Sequence, residues 1–173
     1  MTIEPDTKDW TWVIQQTCGE CSFDASAFPV EHVGALIRAN AAAWPAVLER
    51  DDVAVRPDES TWSPLEYACH VRDVYRIYDV RLERMLTEDN PLYPNWDQDA
   101  AAVDDHYNEQ DPQQVAGELM SAAGALADRF DQVQSDEWDR PGRRGDGAQF
   151  TVQTFARYFI HDPVHHLHDV GAS

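Results

Sequence analysis

Residues 62–86 read WSPLEYACHVRDVYRIYDVRLERML, and their spacing decides the fold. Ser63 suits an N-cap, Pro64 suits the first helical position, where a missing N–H costs nothing, and Glu66 stands three residues after the cap, placed to bond back to it. Behind this start Tyr67, His70, Val74 and Ile77 recur at spacings of three and four, with Val71, Tyr75, Tyr78, Leu82 and Met85 on the adjoining line. That period predicts a long amphipathic helix to about Leu86, stopped by Asn90-Pro91.

Similar signals flank it. Pro29 opens a helix to about Arg50 through Val33, Leu36, Ile37, Ala41 and Trp44, which Pro45 should kink or shorten. Asp111-Pro112 opens a third, through Val115, Leu119, Ala122, Ala123, Leu126 and Phe130, and Thr151 to about Val170 reads as a fourth. Between them lie a polar connector around Pro57, an acidic connection over 91–110 with a short helix near Ala100 to Tyr107, and a loop, RPGRRGDG, from Arg140. Strand-type alternation is almost absent. The expected fold is therefore all-α: a four-helix bundle over residues 29–173, preceded by an irregular segment, 1–28, that packs on it through Trp10, Trp12 and Phe23.

Composition narrows the function classes. Across 173 residues there are 32 Asp plus Glu against 13 Lys plus Arg, a net charge of -19, which makes nucleic acid a poor partner because phosphate backbones need clustered cations. Residues 88–139 hold 14 acidic side chains and one Arg, Arg129, and read as a solvated face. No stretch is long and apolar enough for a membrane span, and the start, MTIEPDTKDW, lacks the basic-then-apolar layout of a signal peptide. A cytoplasmic protein acting on a small molecule is expected, with exposed bundle faces that suit a homodimer. Three cysteines are too few and too unevenly placed for a disulfide framework.

Four of the seven histidines lie in HDPVHHLHD, residues 161–169. At about 100° per residue, His165 lies roughly 40° from His161, whereas His166 lies roughly 140° away. His161 and His165 can converge on one ion, as helical i, i+4 pairs do in zinc sites, and His166 is left to a neighbouring helix or solvent. A third ligand must come from elsewhere, and His70, in the apolar stripe of the second helix, is the best candidate. Three neutral imidazoles would hold Zn2+ or Ni2+ with coordination positions left open. Packing without any metal is the competing reading. Pro163, inside the pair, should distort the helix near the Phe159 carbonyl. Tyr67 and Tyr158 are placed to line a pocket, Arg143 and Arg144 to attract an acidic substrate, and Asp73 and Asp162 to support ligand N–H groups, although Asp162 points about 100° off the line of His161. Cys18-Gly-Glu-Cys21 reads as loop packing or as a redox or metal pair. A zinc knuckle would need a second pair, and Cys69, the remaining thiol, points off the line of His70.

The run TWSPLEYACHVRDVY, followed far downstream by His-x-x-x-His on a last helix, resembles the DinB-like (YfiT-like) superfamily of metal-dependent enzymes, and is similar to the mycothiol-dependent maleylpyruvate isomerase family. The resemblance implies that Trp62 precedes the capped second helix, that His70 binds metal, and that His161 and His165 complete the set. It implies a divalent ion that activates water for hydrolysis or a small thiol, such as mycothiol, for transfer or addition. A non-catalytic metal-binding or stress-responsive bundle is the alternative. Two departures stand out. The isomerase branch has Glu where His161 stands, and the DinB-like pattern commonly reads His-x-x-His-His, which leaves His165 and His166 in competition; periodicity favours His165.

Overall fold

The computed structural model describes residues 9–172; Met1 to Lys8, which make up most of the start MTIEPDTKDW, and Ser173 lie outside the described residues. Among the described residues five α-helices form: α1 (Val33–Leu48), α2 (Pro64–Thr87), α3 (Gln98–Asp104), α4 (Pro112–Asp131) and α5 (Val152–Asp169). The four long ones make the expected bundle. Their starts follow the capping chemistry of the sequence. Ser63 Oγ accepts from Glu66 N–H while the Glu66 carboxylate accepts from Ser63 N–H at 2.8 Å, a closed capping box. Asp111 caps α4 ahead of Pro112, and Thr151 forms a second reciprocal cap with Thr154 on α5.

Helix α4 packs along both α1 and α2, and α5 also packs against both, whereas α1 and α2 touch each other only lightly. Consecutive helices α1 and α2 are thus not close neighbours, because the turns of 49–63 carry the chain across the bundle instead of into a tight hairpin. The core runs through Ile37, Trp44, Tyr75, Leu82, Leu119 and Phe159, all buried. The first helix starts later than Pro29, and two helices hold a proline inside. α1 begins at Val33 after a 3-10 turn over Val30–His32, and it runs through Pro45 without ending there. α5 likewise runs through Pro163.

The stretch from Arg140, RPGRRGDG, expected as a loop, instead forms a hairpin with residues 149–151. Strand β1 (Leu92–Tyr93) pairs in parallel with β2 (Pro141–Arg144), which pairs antiparallel with β3 (Gln149–Thr151) in register Gly142↔Phe150. Strands of two to four residues are too short to show period-two alternation. Gly142 is required there, since a Cβ would come within 2.8 Å of the Met85 side chain. The sheet closes one end of the bundle and presents Arg144 beside the cavity described next. No helix among the described residues is long and apolar enough to cross a membrane.

Candidate metal centre

A cavity of about 620 Å³ opens between α2, α5, the segment 94–99 and the N-terminal segment. His70, 0 % exposed, reaches it from α2 and meets α5 there. Its Nε2 lies 3.3 Å from Asp162 Oδ1 and 3.4 Å from Oδ2. His166 Nε2 lies 3.7 Å from the same carboxylate, and the His70 and His166 rings stand edge to face at 4.9 Å. Asp162 and His166 are an i, i+4 pair on the stripe of α5 that faces α2.

The His70–Asp162 separations suit a shared cation better than a hydrogen bond. A charge-assisted N–H···O bond is shorter, at about 2.7–2.9 Å, whereas ligands held at about 2.1 Å from one ion stand about 3.0–3.4 Å apart. Asp162 Oδ1 is shielded and has no hydrogen-bond partner among the described residues, and neither has His70 Nδ1. Two imidazoles and one carboxylate form a donor set that fits a divalent ion. His166 Nδ1 donates to Asp169 Oδ2 at 2.9 Å, which directs Nε2 at the centre, the carboxylate support expected of a ligating histidine. Crowding alone would raise the Asp162 carboxyl, but the His70 and His166 imidazoles outweigh it and hold the group well below the usual carboxylate range.

Aromatic rings wall the centre. Trp96 stacks on His70 at 5.3 Å, Trp62 tilts over its ring, also at 5.3 Å, and Tyr67 leans on His166 at 4.9 Å, its hydroxyl pushed up to about 12 by burial. Farther along the cavity stand Arg144 and Arg81. Arg144 is bound to Asp146 and donates to the Tyr158 hydroxyl, whereas Arg81, 7 % exposed, donates to the Pro94 carbonyl and has no carboxylate partner among the described residues.

The three histidines nominated by periodicity are thereby divided. His70 stands with Asp162 and His166, while His161 and His165, their rings 5.1 Å apart, converge on the other side of α5 with Cys18 and Cys21. The i, i+4 rule fits both stripes, 161/165 and 162/166, about 100° apart, and histidine spacing alone picks out the first. Asp162 lies off the line of His161 but on the line of His166. Of the remaining candidates, Tyr67, Tyr158 and Arg144 line the cavity. Arg143 instead donates to the Asn90 carbonyl, and Asp73 is held by Arg72 and accepts from the Tyr107 hydroxyl, away from the histidines. Cys69 is buried against the Tyr107 carbonyl and Gln110, its thiol pushed up to about 12 by burial, and takes no part.

A family model described as DinB superfamily matches residues 35–170. The chain belongs to the DinB superfamily. Among solved structures it is similar to YfiT from Bacillus subtilis, described as "a probable metal-dependent hydrolase with an unusual four-helix bundle topology": 15% identity, TM-score 0.64, 98% of this chain and 92% of that one covered. The likeness shows a shared fold. No curated protein matches the chain in sequence. The family match begins at residue 35, so the cysteine-bearing segment of this DinB-superfamily member lies outside it.

Proposed function

We propose that this DinB-superfamily chain is a metal-dependent hydrolase of a small molecule, with His70, Asp162 and His166 as ligands of a divalent ion such as Zn2+ or Ni2+. The observation that carries the reading is the convergence of those three side chains at 3.3–3.7 Å on the wall of an open cavity. Its volume of about 620 Å³ suits a small molecule and is too confined for a macromolecular substrate. A divalent cation held there supplies Lewis-acid chemistry, polarising a carbonyl or phosphoryl group and making water acidic enough to attack near neutral pH.

The side chains supply the rest. One carboxylate offsets half of the cation's charge, which leaves an attraction for an anionic or polar group of the substrate. Asp169 fixes the His166 ring through its Nδ1 proton. Trp62 and Trp96 keep bulk water from the His70 face, and Arg81, on the cavity wall with its guanidinium over the Tyr93 ring, supplies a cation to which a second polar group of the substrate would dock. No thiol of the chain belongs to the His70–Asp162–His166 group, so transfer chemistry would need a small thiol such as mycothiol to enter as co-substrate in place of water.

The test is metal content and hydrolysis of a panel of small esters, amides and phosphoesters, with and without added thiol. His70→Ala and His166→Ala are expected to lose this ion and at least a hundredfold in turnover, and Asp169→Ala to weaken metal affinity about 10–100-fold. Full metal content and turnover in His70→Ala would sink the reading; turnover only with added thiol would replace hydrolysis by transfer.

A further inference from the structure

Across α5 from this centre, Cys18, Cys21, His161 and His165 bring four ligand atoms within 4.8 Å of one another. Cys18 Sγ lies 3.7 Å from His165 Nδ1, and Cys21 Sγ lies 3.7 Å from His161 Nε2. Around a tetrahedral zinc ion with Zn–S of about 2.3 Å and Zn–N of about 2.0–2.1 Å, sulfur and nitrogen stand about 3.6 Å apart. Cys-x-x-Cys and His-x-x-x-His are also the spacings of closed zinc sites. The other ring nitrogen of His165, Nε2, faces the carboxylates of Glu20 at 3.4 Å and Asp169 at 3.6 Å, whose charge favours the ring proton on Nε2 and leaves Nδ1 free to ligate. Cys18, His161 and His165 are all buried, and the Trp10 ring covers both imidazoles at 5.3–5.4 Å.

We propose that Cys18, Cys21, His161 and His165 form a second, structural Zn2+ site of Cys2His2 type, which pins the N-terminal segment to α5. Both thiols release their protons to solvent on binding, and two thiolates cancel the ion's double charge. The closed complex is then neutral, as a buried position demands. Four protein ligands leave no position for substrate, in contrast to the three-ligand centre on the neighbouring stripe. Trp10 and Glu20 both line the cavity, so the pinned segment also forms part of the substrate wall.

The experiment titrates the reduced, chelator-stripped full chain with Co2+. A near-ultraviolet thiolate-to-cobalt charge-transfer band with strong tetrahedral visible bands is expected, saturating at one equivalent and displaced by Zn2+. Cys18→Ser and Cys21→Ser should lose the near-ultraviolet band; Cys69→Ser and His70→Ala should keep it in full, so failure of the catalytic reading leaves this result unaffected. Stripping the wild type should also speed proteolytic cleavage within residues 10–28 at least tenfold. The wild-type titration decides even where a variant does not fold: absence of the thiolate band in the reduced wild type, or its persistence in folded Cys18→Ser/Cys21→Ser, overturns the proposal.

Discussion

Glu66 carries two jobs on one carboxylate. It closes the capping box on Ser63 and takes a bidentate contact from Arg56, which ties the 49–63 connection to the start of α2. Burial would raise its pKa, but the Arg56 guanidinium and the Ser63 N–H outweigh that and lower it from 4.5. A lowered carboxylate stabilises the fold fully above its unfolded pKa, and loses that contribution as pH falls through the folded value. Urea unfolding should therefore show Glu66→Gln less stable than wild type at pH 7, with the gap closing below about pH 4. Glu66→Ala should cost about 1–2 kcal/mol at pH 7, since the Ser63 N–H loses its partner whereas Arg56, a third exposed, can turn to water. Ser63, Pro64 and Glu66 were all legible in the sequence because capping is local. Arg56 was not, because only the path of the connector brings it back to the helix start.

Helix α5 shows where periodicity stops being informative. Its spacing announces a ligand-bearing helix, yet 161/165 and 162/166 are equally good pairs, and which faces α2 depends on rotation about the helix axis, set by distant packing. Spacing put His70 on the apolar stripe of α2, and the fold puts that side chain in the cavity wall, but spacing could not tell that Asp162 and His166 face the same cavity, nor that the Cys-x-x-Cys some 140 residues earlier meets the other stripe. Rotation is held partly by Asn40 of α1. This residue, 4 % exposed, donates to the Pro163 carbonyl at 2.7 Å and accepts from the Tyr75 hydroxyl and the Trp44 indole, joining α1, α2 and α5 in one buried network. Asn40→Ala leaves three buried polar groups without partners, and should lower unfolding stability by about 3 kcal/mol with an unchanged denaturant slope. A change below about 1 kcal/mol in urea titration would mean the network is not what fixes α5. If the rotation is disturbed, the variant should also bind the metal of the His70 centre more weakly.

At the scale of the whole molecule, the acid excess is less idle than its composition suggested. Arg38 of α1 bridges Asp128 and Asp131, and Arg72 and Arg76 of α2 meet Glu118, so part of the acidic face of α4 is stitched to its two neighbours. Most of these pairs are exposed and worth little singly. Folding stability must then come from the core and, if the two centres fill, from the ions. A ligand that binds only the folded state at a hundred times its dissociation constant adds about 2.7 kcal/mol, and a chain of this size gains about 2–4 °C in Tm per kcal/mol, so each filled site should raise Tm by roughly 5–11 °C. Excess chelator should lower the wild-type Tm by about twice that amount, while His70→Ala and Cys18→Ser, each with one site left, should fall by about half as much as wild type. Removal should also come in two phases, since the three-ligand centre opens to the cavity and the four-ligand one is closed under Trp10. Differential scanning calorimetry with metal analysis follows both. A chelator-insensitive Tm in protein shown to carry metal would separate the ions from the fold, and a single-phase loss would mean that one ion, shared across α5, serves both sets of ligands.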